Sequence, residues 1–289
     1  VKFWQVVSFS EPDQLLDIAR AAEEAGFEGV LLSDHLFFPG DLRTKYPYSE
    51  DGKPMFDGTT PFPDPFVTIA AMAAVTTRLR FGTMVYILPL RHPLEVAKSV
   101  GTAALLARGR VVLGTGAGWI REEYDALGVD FATRGRRYDE MIEVLRKAWT
   151  GQMTLHRGPI FDLGAFQMSP APAAQVPICV GGISEPALRR AARTGDGWIG
   201  TGQTPDEAVA LLGRLDALRR DAGRANAPFE TIVPLVTPPD ADVYARLAEA
   251  GMTATTAWPF TYVIGPTSTA SQKREAMLRF GEAVIAKLG

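Results

Sequence analysis

Apolar positions along this chain follow two spacings in turn, and the alternation repeats from end to end. Short apolar, aromatic and β-branched runs mark strands, and apolar residues three and four apart mark helices. Residues 2–9 (KFWQVVSF) form the first run. Ser10-Glu11-Pro12-Asp13 then reads as a capping box, Leu15, Ile18, Ala22 and Ala25 follow at helical spacing, and Gly26 ends the helix. A strand at roughly 29–34 completes the unit.

The same unit recurs. Asp64-Pro65 opens a helix to about Thr76 ahead of a strand at 79–88, and His92-Pro93 opens one through Leu106 ahead of 110–118. A helix over about 134–149 precedes the strand 177–182, and Ser184 caps a helix through Arg193 before 197–202. Thr204-Pro205-Asp206-Glu207 is a full capping box with proline at the first helical position. A strand at 229–236, a helix near 240–250, a strand at 252–259 and a helix near 271–288 close the series.

Eight strand-then-helix units with near-continuous apolar strands predict a parallel sheet covered on both faces. In 289 residues they fit a closed (β/α)8 TIM barrel better than an open sheet, and no linker divides the chain, so one domain over 1–289 is expected. Two insertions break the rhythm. Residues 36–63, after the second strand, carry Phe37, Phe38, Tyr46, Tyr48, Phe56 and Phe62; residues 151–176, before the fifth, look like a hairpin. Long connections inside compact domains act as lids or binding loops.

Composition narrows the class. With 46% hydrophobic and 22% charged residues the chain is an ordinary globular protein, and a net charge of −3 argues against nucleic acid or an anionic membrane as partner. No apolar run is long enough to span a bilayer and no secretion signal opens the chain. Cys179 is the single cysteine, and His35, His92 and His156 are scattered, so neither a disulfide nor a metal site is expected. These features predict a soluble, cytoplasmic globular protein.

Barrel enzymes place their chemistry where strands end and βα loops begin. That rule selects Ser33-Asp34-His35, Met84-Val85-Tyr86, Gly114 to Trp119, Gly181 to Ser184, Gly200 to Gly202, and Trp258. GTGAGW (114–119) approaches a dinucleotide fingerprint but has G-x-G-x-G spacing, so a plain glycine-rich turn competes with a ligand loop. In CVGGISEPALRR (179–190) two glycines lead into a helix start whose free amides suit an anion, with Arg189 and Arg190 expected to face solvent or another subunit. Asp34 and His35 either close a turn or do chemistry.

SDHLFFPG, FGTMVYILPLRHPLEVAK, the block from Gly109 to Gly151, and PICVGGISEPALRRAARTGDGWIG together resemble the bacterial luciferase-like family. Within it they are most similar to the oxidoreductases that use the deazaflavin coenzyme F420, strongly over residues 1–200 and weakly beyond. The resemblance implies a barrel holding a flavin or deazaflavin at the strand C-termini, its ring against a non-proline cis peptide at Met84-Val85. It implies Asp34 at the polar edge of the ring and His35 beside the reacting carbon as proton donor or acceptor. Thr115, Gly116 and Ala117 would line the cofactor tail. Gly181, Gly182 and Ile183 would hold its phosphate through backbone amides. Trp119, Glu122 and Glu123 would stand near the substrate or the tail.

Two departures matter. The family's sugar-phosphate dehydrogenases have a catalytic glutamate where this chain has Trp119, which counts against glucose 6-phosphate. The FMN-dependent luciferases place an arginine where this chain reads Gly114-Thr115-Gly116-Ala117-Gly118, which favours F420 over FMN. The expected activity is hydride transfer between F420 and a small apolar organic substrate. An FMN-dependent monooxygenase fed by a separate reductase and a non-catalytic flavin-binding barrel are the competing readings. The resemblance also implies a homodimer, with Ile69, Met72, Val96, Val100 and Leu105 as candidate interface positions.

Overall fold

A computed structural model describes residues 1–288. In chain order its elements are β1 (Lys2–Val6), α1 (Leu15–Glu24), β2 (Gly29–Leu32), α2 (Pro65–Ala74), β3 (Arg80–Thr83), β4 (Tyr86–Ile87), α3 (Pro93–Leu106) and β5 (Val111–Gly116). There follow α4 (Arg121–Ala126), α5 (Arg134–Ala148), the hairpin β6 (Thr154–Arg157) and β7 (Asp162–Phe166), β8 (Ile178–Gly181) and α6 (Glu185–Thr194). The last third contains β9 (Gly197–Ile199), α7 (Pro205–Asp221), β10 (Glu230–Val233), α8 (Ala241–Glu249), β11 (Ala254–Ala257), α9 (Phe260–Val263) and α10 (Ala270–Phe280).

The sheet runs β3-β2-β1-β11-β10-β9-β8-β5-β4 with every pair parallel, and β3 also pairs with β5, which closes it. Because β3 and β4 are two halves of one stave, the closed sheet is an eight-stave TIM barrel. Its lumen is filled by Trp4, Leu31, Val112, Cys179, Ile199, Ile232 and Ala254. Alternate residues such as Phe3, Val30, Phe81 and Val111 pack outward under the helices. The strands are largely apolar because both of their faces are buried.

Some local expectations give way to tertiary packing. Ser10 caps nothing: Pro12–Gln14 is a single 3-10 turn, α1 begins only at Leu15, and the Ser10 hydroxyl is buried without a partner among the described residues. The first strand stops at Val6, short of the run's end, and Phe9 takes a left-handed φ of 64°. The strand expected at 79–88 is split in two. Gly82 pairs with Val112 and Tyr86 with Thr115, so this stave uses four residues where β5 uses three. The extra residue is a bulge at Met84-Val85, and bulges at barrel rims re-aim side chains.

The interface positions inferred for a dimer are also reassigned. Ile69, Met72, Val96 and Val100 are at most 1% exposed within the chain, because they are the faces of α2 and α3 that cover the barrel. Leu105 is half-buried, whereas Val67 and Leu106 are exposed on those helices.

The capping box of α7 forms as expected: the Thr204 hydroxyl accepts from Glu207 N, and the Glu207 carboxylate accepts from Thr204 N. Thr204→Ala is expected to lower stability by about 1 kcal/mol, seen as an earlier urea midpoint at unchanged slope.

Candidate functional site

Ser33, Asp34 and His35 leave the end of β2 at the barrel rim and point in different directions. The Ser33 hydroxyl donates to the Met84 carbonyl at 3.2 Å, so the Ser8 hydroxyl, 2.5 Å away, must donate to Ser33. Asp34 is buried. Its Oδ1 accepts from Arg91 Nη2 at 2.7 Å, and its Oδ2 accepts from Arg91 Nη1 and, at 2.9 Å, from Ile87 N. Arg91 also donates to the Ile87 carbonyl and lies 4.2 Å from the Tyr86 ring centroid. Asp34 is thus tied into the segment after the bulge by a forked ion pair.

The peptide between Met84 and Val85 is cis. Met84 N donates to the Leu32 carbonyl, and the Thr83 hydroxyl donates to the Gly114 carbonyl, fixing the bulge from both sides. Its Val85 side chain rests on two glycines. A Cβ added at Gly116 or at Gly181 would stand 2.5 Å from a Val85 methyl carbon. Those glycines leave a half-buried apolar ridge with a side-chain-free floor across β5 and β8.

His35 is oriented from α4. Glu123 has a fully buried carboxylate whose Oε1 accepts from Leu36 N at 3.0 Å. Its Oε2, 3.2 Å from His35 Nδ1, is left to accept the Nδ1–H. That assignment leaves Nε2 as the ring nitrogen open to the mouth, and no hydrogen bond to Nε2 exists among the described residues. The imidazole sits in an aromatic box, 4.7 Å from the Phe56 centroid, 5.1 Å from Phe62 and 6.2 Å from Trp119.

Phe56 and Phe62 belong to the insertion after β2, which α4 also anchors, and Trp119 to the loop between β5 and α4. Glu122 accepts from Arg43 N, Thr44 N and the Thr44 hydroxyl. Two successive acids in one helical turn therefore hold both the histidine and the lid beside it. The sequence pattern REEY put acids in the first turn but could not show what they hold. Both are positioning groups.

Across the mouth, Trp119 meets Tyr46, Tyr46 meets Tyr48, and the Tyr48 hydroxyl would lie 3.9 Å from a Cβ added at Gly182. Burial raises the pKa of both tyrosines, so they are neutral phenols near pH 7.

The structure gathers His35, Met84, Val85, Gly116, Ala117, Trp119, Gly181 and Gly182 at this mouth, with two reassignments. The Thr115 side chain is directed away from the mouth, its hydroxyl hydrogen-bonded to Tyr138 behind the strand. The Gly182 amide already donates to the Ile199 carbonyl, so the amides free for an anion begin at Ile183. Ser184 is the first residue outside α6, but its side chain forms no cap bond. Arg190 does not face solvent. It is buried against α5, bonded to Asp139 and Gly135 O and lying 4.4 Å from the Tyr138 centroid. Arg189 is exposed and paired with Glu185.

Burial pushes the Cys179 thiol up, leaving it an inert lumen side chain. Among the described residues no cluster of His, Cys, Asp and Glu could hold a metal ion, and no helix is long and apolar enough to cross a membrane.

Comparison with known proteins fits this geometry. An uncharacterized protein of Mycobacterium tuberculosis is 41% identical over 275 residues, 94% of this chain and 95% of the relative. An F420-dependent glucose-6-phosphate dehydrogenase of Microbacterium testaceum is 32% identical over 228 residues, covering 77% of this chain and 63% of that enzyme. The crystal structure of the monooxygenase RslO1 from Streptomyces bottropensis superposes over the whole of both chains with a TM-score of 0.77 at 18% identity, a likeness of fold. The family model described as luciferase-like monooxygenase matches residues 5–283, and the chain, with its bulged third stave and its histidine at the end of β2, belongs to that family.

Proposed function

We propose that this protein is an F420-dependent oxidoreductase that transfers a hydride between the deazaflavin and a small apolar organic substrate. The observation that carries the reading is His35, held at Nδ1 by a buried carboxylate and free at Nε2, inside an aromatic box at the barrel mouth. The similarity to an F420-dependent dehydrogenase supports it.

The residues at the mouth suit a planar cofactor. The Val85 ridge over Gly116 and Gly181 offers an apolar bed for a ring, a bed that a Cβ at either glycine would disturb. Ala117 and the main chain of Thr115 would flank the tail, and the free amides from Ile183 onward would meet a phosphate at the start of α6. When bound, the deazaflavin supplies two-electron hydride chemistry. The chain's own contribution is positional and protonic. Asp34 and Arg91 fix the bulge, the aromatic insertion excludes water, and Nε2 of His35 takes up or delivers the proton that accompanies hydride transfer.

Titration of the apo protein with F420 and, separately, with FMN tests the reading by fluorescence. Binding of F420 is expected; tight FMN binding with no response to F420 would overturn it. The second reading, an FMN-dependent monooxygenase fed by a separate reductase, draws on the family description and the RslO1 likeness. It predicts oxygen consumption with reduced FMN, and the stretch Gly114 to Gly118 argues against it by offering no arginine for a flavin phosphate.

Gly181→Ala is expected to weaken F420 binding about tenfold, because the new methyl displaces Val85 from its seat. Adding Val85→Ala restores much of that loss; equal binding by Gly181→Ala and the parent would place the ring elsewhere. We further propose that the protein works in the cytoplasm as a homodimer, with exposed Val67 and Leu106 in the contact.

A further inference from the structure

We propose that a second ligand site lies outside the barrel wall, between β1, β11, α8 and α10, and that it takes a small apolar molecule bearing one hydroxyl group. The argument begins with an exception to the pattern of β1. Phe3 and Val7 join the helix-facing core. Gln5, midway between them on the same face, places an amide in an otherwise apolar layer.

Gln5 is 3% exposed. Its Nε2 donates to the Val6 carbonyl at 2.9 Å and the Trp258 carbonyl at 3.2 Å, which fixes the amide, and its Oε1 accepts no hydrogen bond among the described residues. An unpartnered oxygen on so buried a residue, yet not itself sealed from solvent, must open onto a space that a small molecule can enter.

The explanation is a cavity. Gln5 stands on the wall of a space of about 200 Å³ whose other sides include Leu235, Tyr244, Trp258, Phe260, Met277 and Phe280. The space exists because α10 packs along α1 and not along α8, while α9, inserted after β11, roofs the gap. Pro239 and Val263, both exposed, mark its opening. A second polar group faces the same space: Thr237 lines it, and its hydroxyl oxygen is buried with no partner among the described residues. Leu235, Thr237 and Trp258 follow the C-terminal ends of β10 and β11, but none of the walls belongs to the box around His35.

Size and chemistry define the ligand class. An apolar cavity of about 150 Å³ suffices for benzene, so this space holds a six-membered ring or short alkyl chain with a small substituent. Gln5 Oε1 wants a donor, and the Thr237 hydroxyl can give or accept; a hydroxyl is the smallest group that does both. A carboxylate would meet the Gln5 oxygen with like charge. A cation would find no acidic wall, and Lys273 Nζ already stands 5.9 Å from the Phe260 centroid.

4-Bromophenol tests the assignment. In a soaked crystal of the whole chain, the bromine anomalous signal is expected between Tyr244, Phe260 and Phe280. Ala276→Phe, which fills the cavity from α10, is expected to weaken binding about tenfold or more without lowering the melting temperature. Thr237→Val is expected to weaken 4-bromophenol about threefold and leave bromobenzene unchanged. Bromine found only beside His35, no binding at all, or undiminished binding by Ala276→Phe would each overturn the proposal. Should that variant fail to fold, the crystal of the parent protein decides alone.

Discussion

His35→Ala is expected to lower turnover by about 10²–10⁴-fold while leaving F420 affinity within about threefold of the parent. The asymmetry follows from where the ring is held. Among the described residues its only hydrogen bond is to Glu123, and its neighbours are aromatic rings of the insertion and Trp119, so removing it deletes a proton carrier and not a cofactor ligand. Glu123→Gln provides the companion test. Leu36 N can still donate to the amide oxygen, but the amide nitrogen cannot accept Nδ1–H. The ring is then driven to the tautomer protonated at Nε2, and turnover falls with F420 affinity retained. Steady-state kinetics with a cofactor titration read both variants. Parallel loss of turnover and affinity, or loss of neither, would remove His35 from the chemistry.

The largest effect on stability is expected at Asp34. Asp34→Ala leaves the Arg91 guanidinium, whose side chain is 13% exposed, without its counter-charge and strips Ile87 N of its acceptor. Breaking a buried pair from one side costs about 3–5 kcal/mol, which for a chain of this size is a fall in Tm of ~10 °C. Asp34→Ala combined with Arg91→Leu is expected to recover part of that loss, because the uncompensated charge is gone. F420 binding is not recovered, since the segment after the bulge stays unanchored. Calorimetry separates the two accounts of Asp34. If Asp34→Ala melts within about 1 °C of the parent and only turnover drops, the carboxylate serves the reaction directly and not the bulge.

Much of this was legible in the chain because it depends on short-range patterns. The period-two and period-3.6 alternation identified the strands, Thr204 and Asp64 marked helix starts through local hydrogen bonds, and strand ends followed by glycine or aromatic loops marked the rim. Asp34 and His35 were visible as rim residues by that logic. Their division of labour was not. One is locked to Arg91 fifty-seven residues on and the other to Glu123 eighty-eight residues on, and no local pattern encodes partners at such separations.

The failures share a cause. Ser10 has a capping sequence, but its hydroxyl is buried beyond reach of a helix amide, and Arg190 reads as a surface residue until α5 supplies Asp139 and Tyr138. The strand-like run 79–88 cannot reveal a bulge that comes from mismatched register with β5.

The sequence by itself determined the repeat, the closed parallel barrel and the end of it where chemistry belongs, since hydrophobic period and turn residues are properties of neighbouring positions. Only the tertiary structure decided which nitrogen of His35 is free, what Asp34 holds, and that Gln5 faces a cavity. Each depends on a partner brought close by barrel closure, and a buried polar group takes its role from that partner.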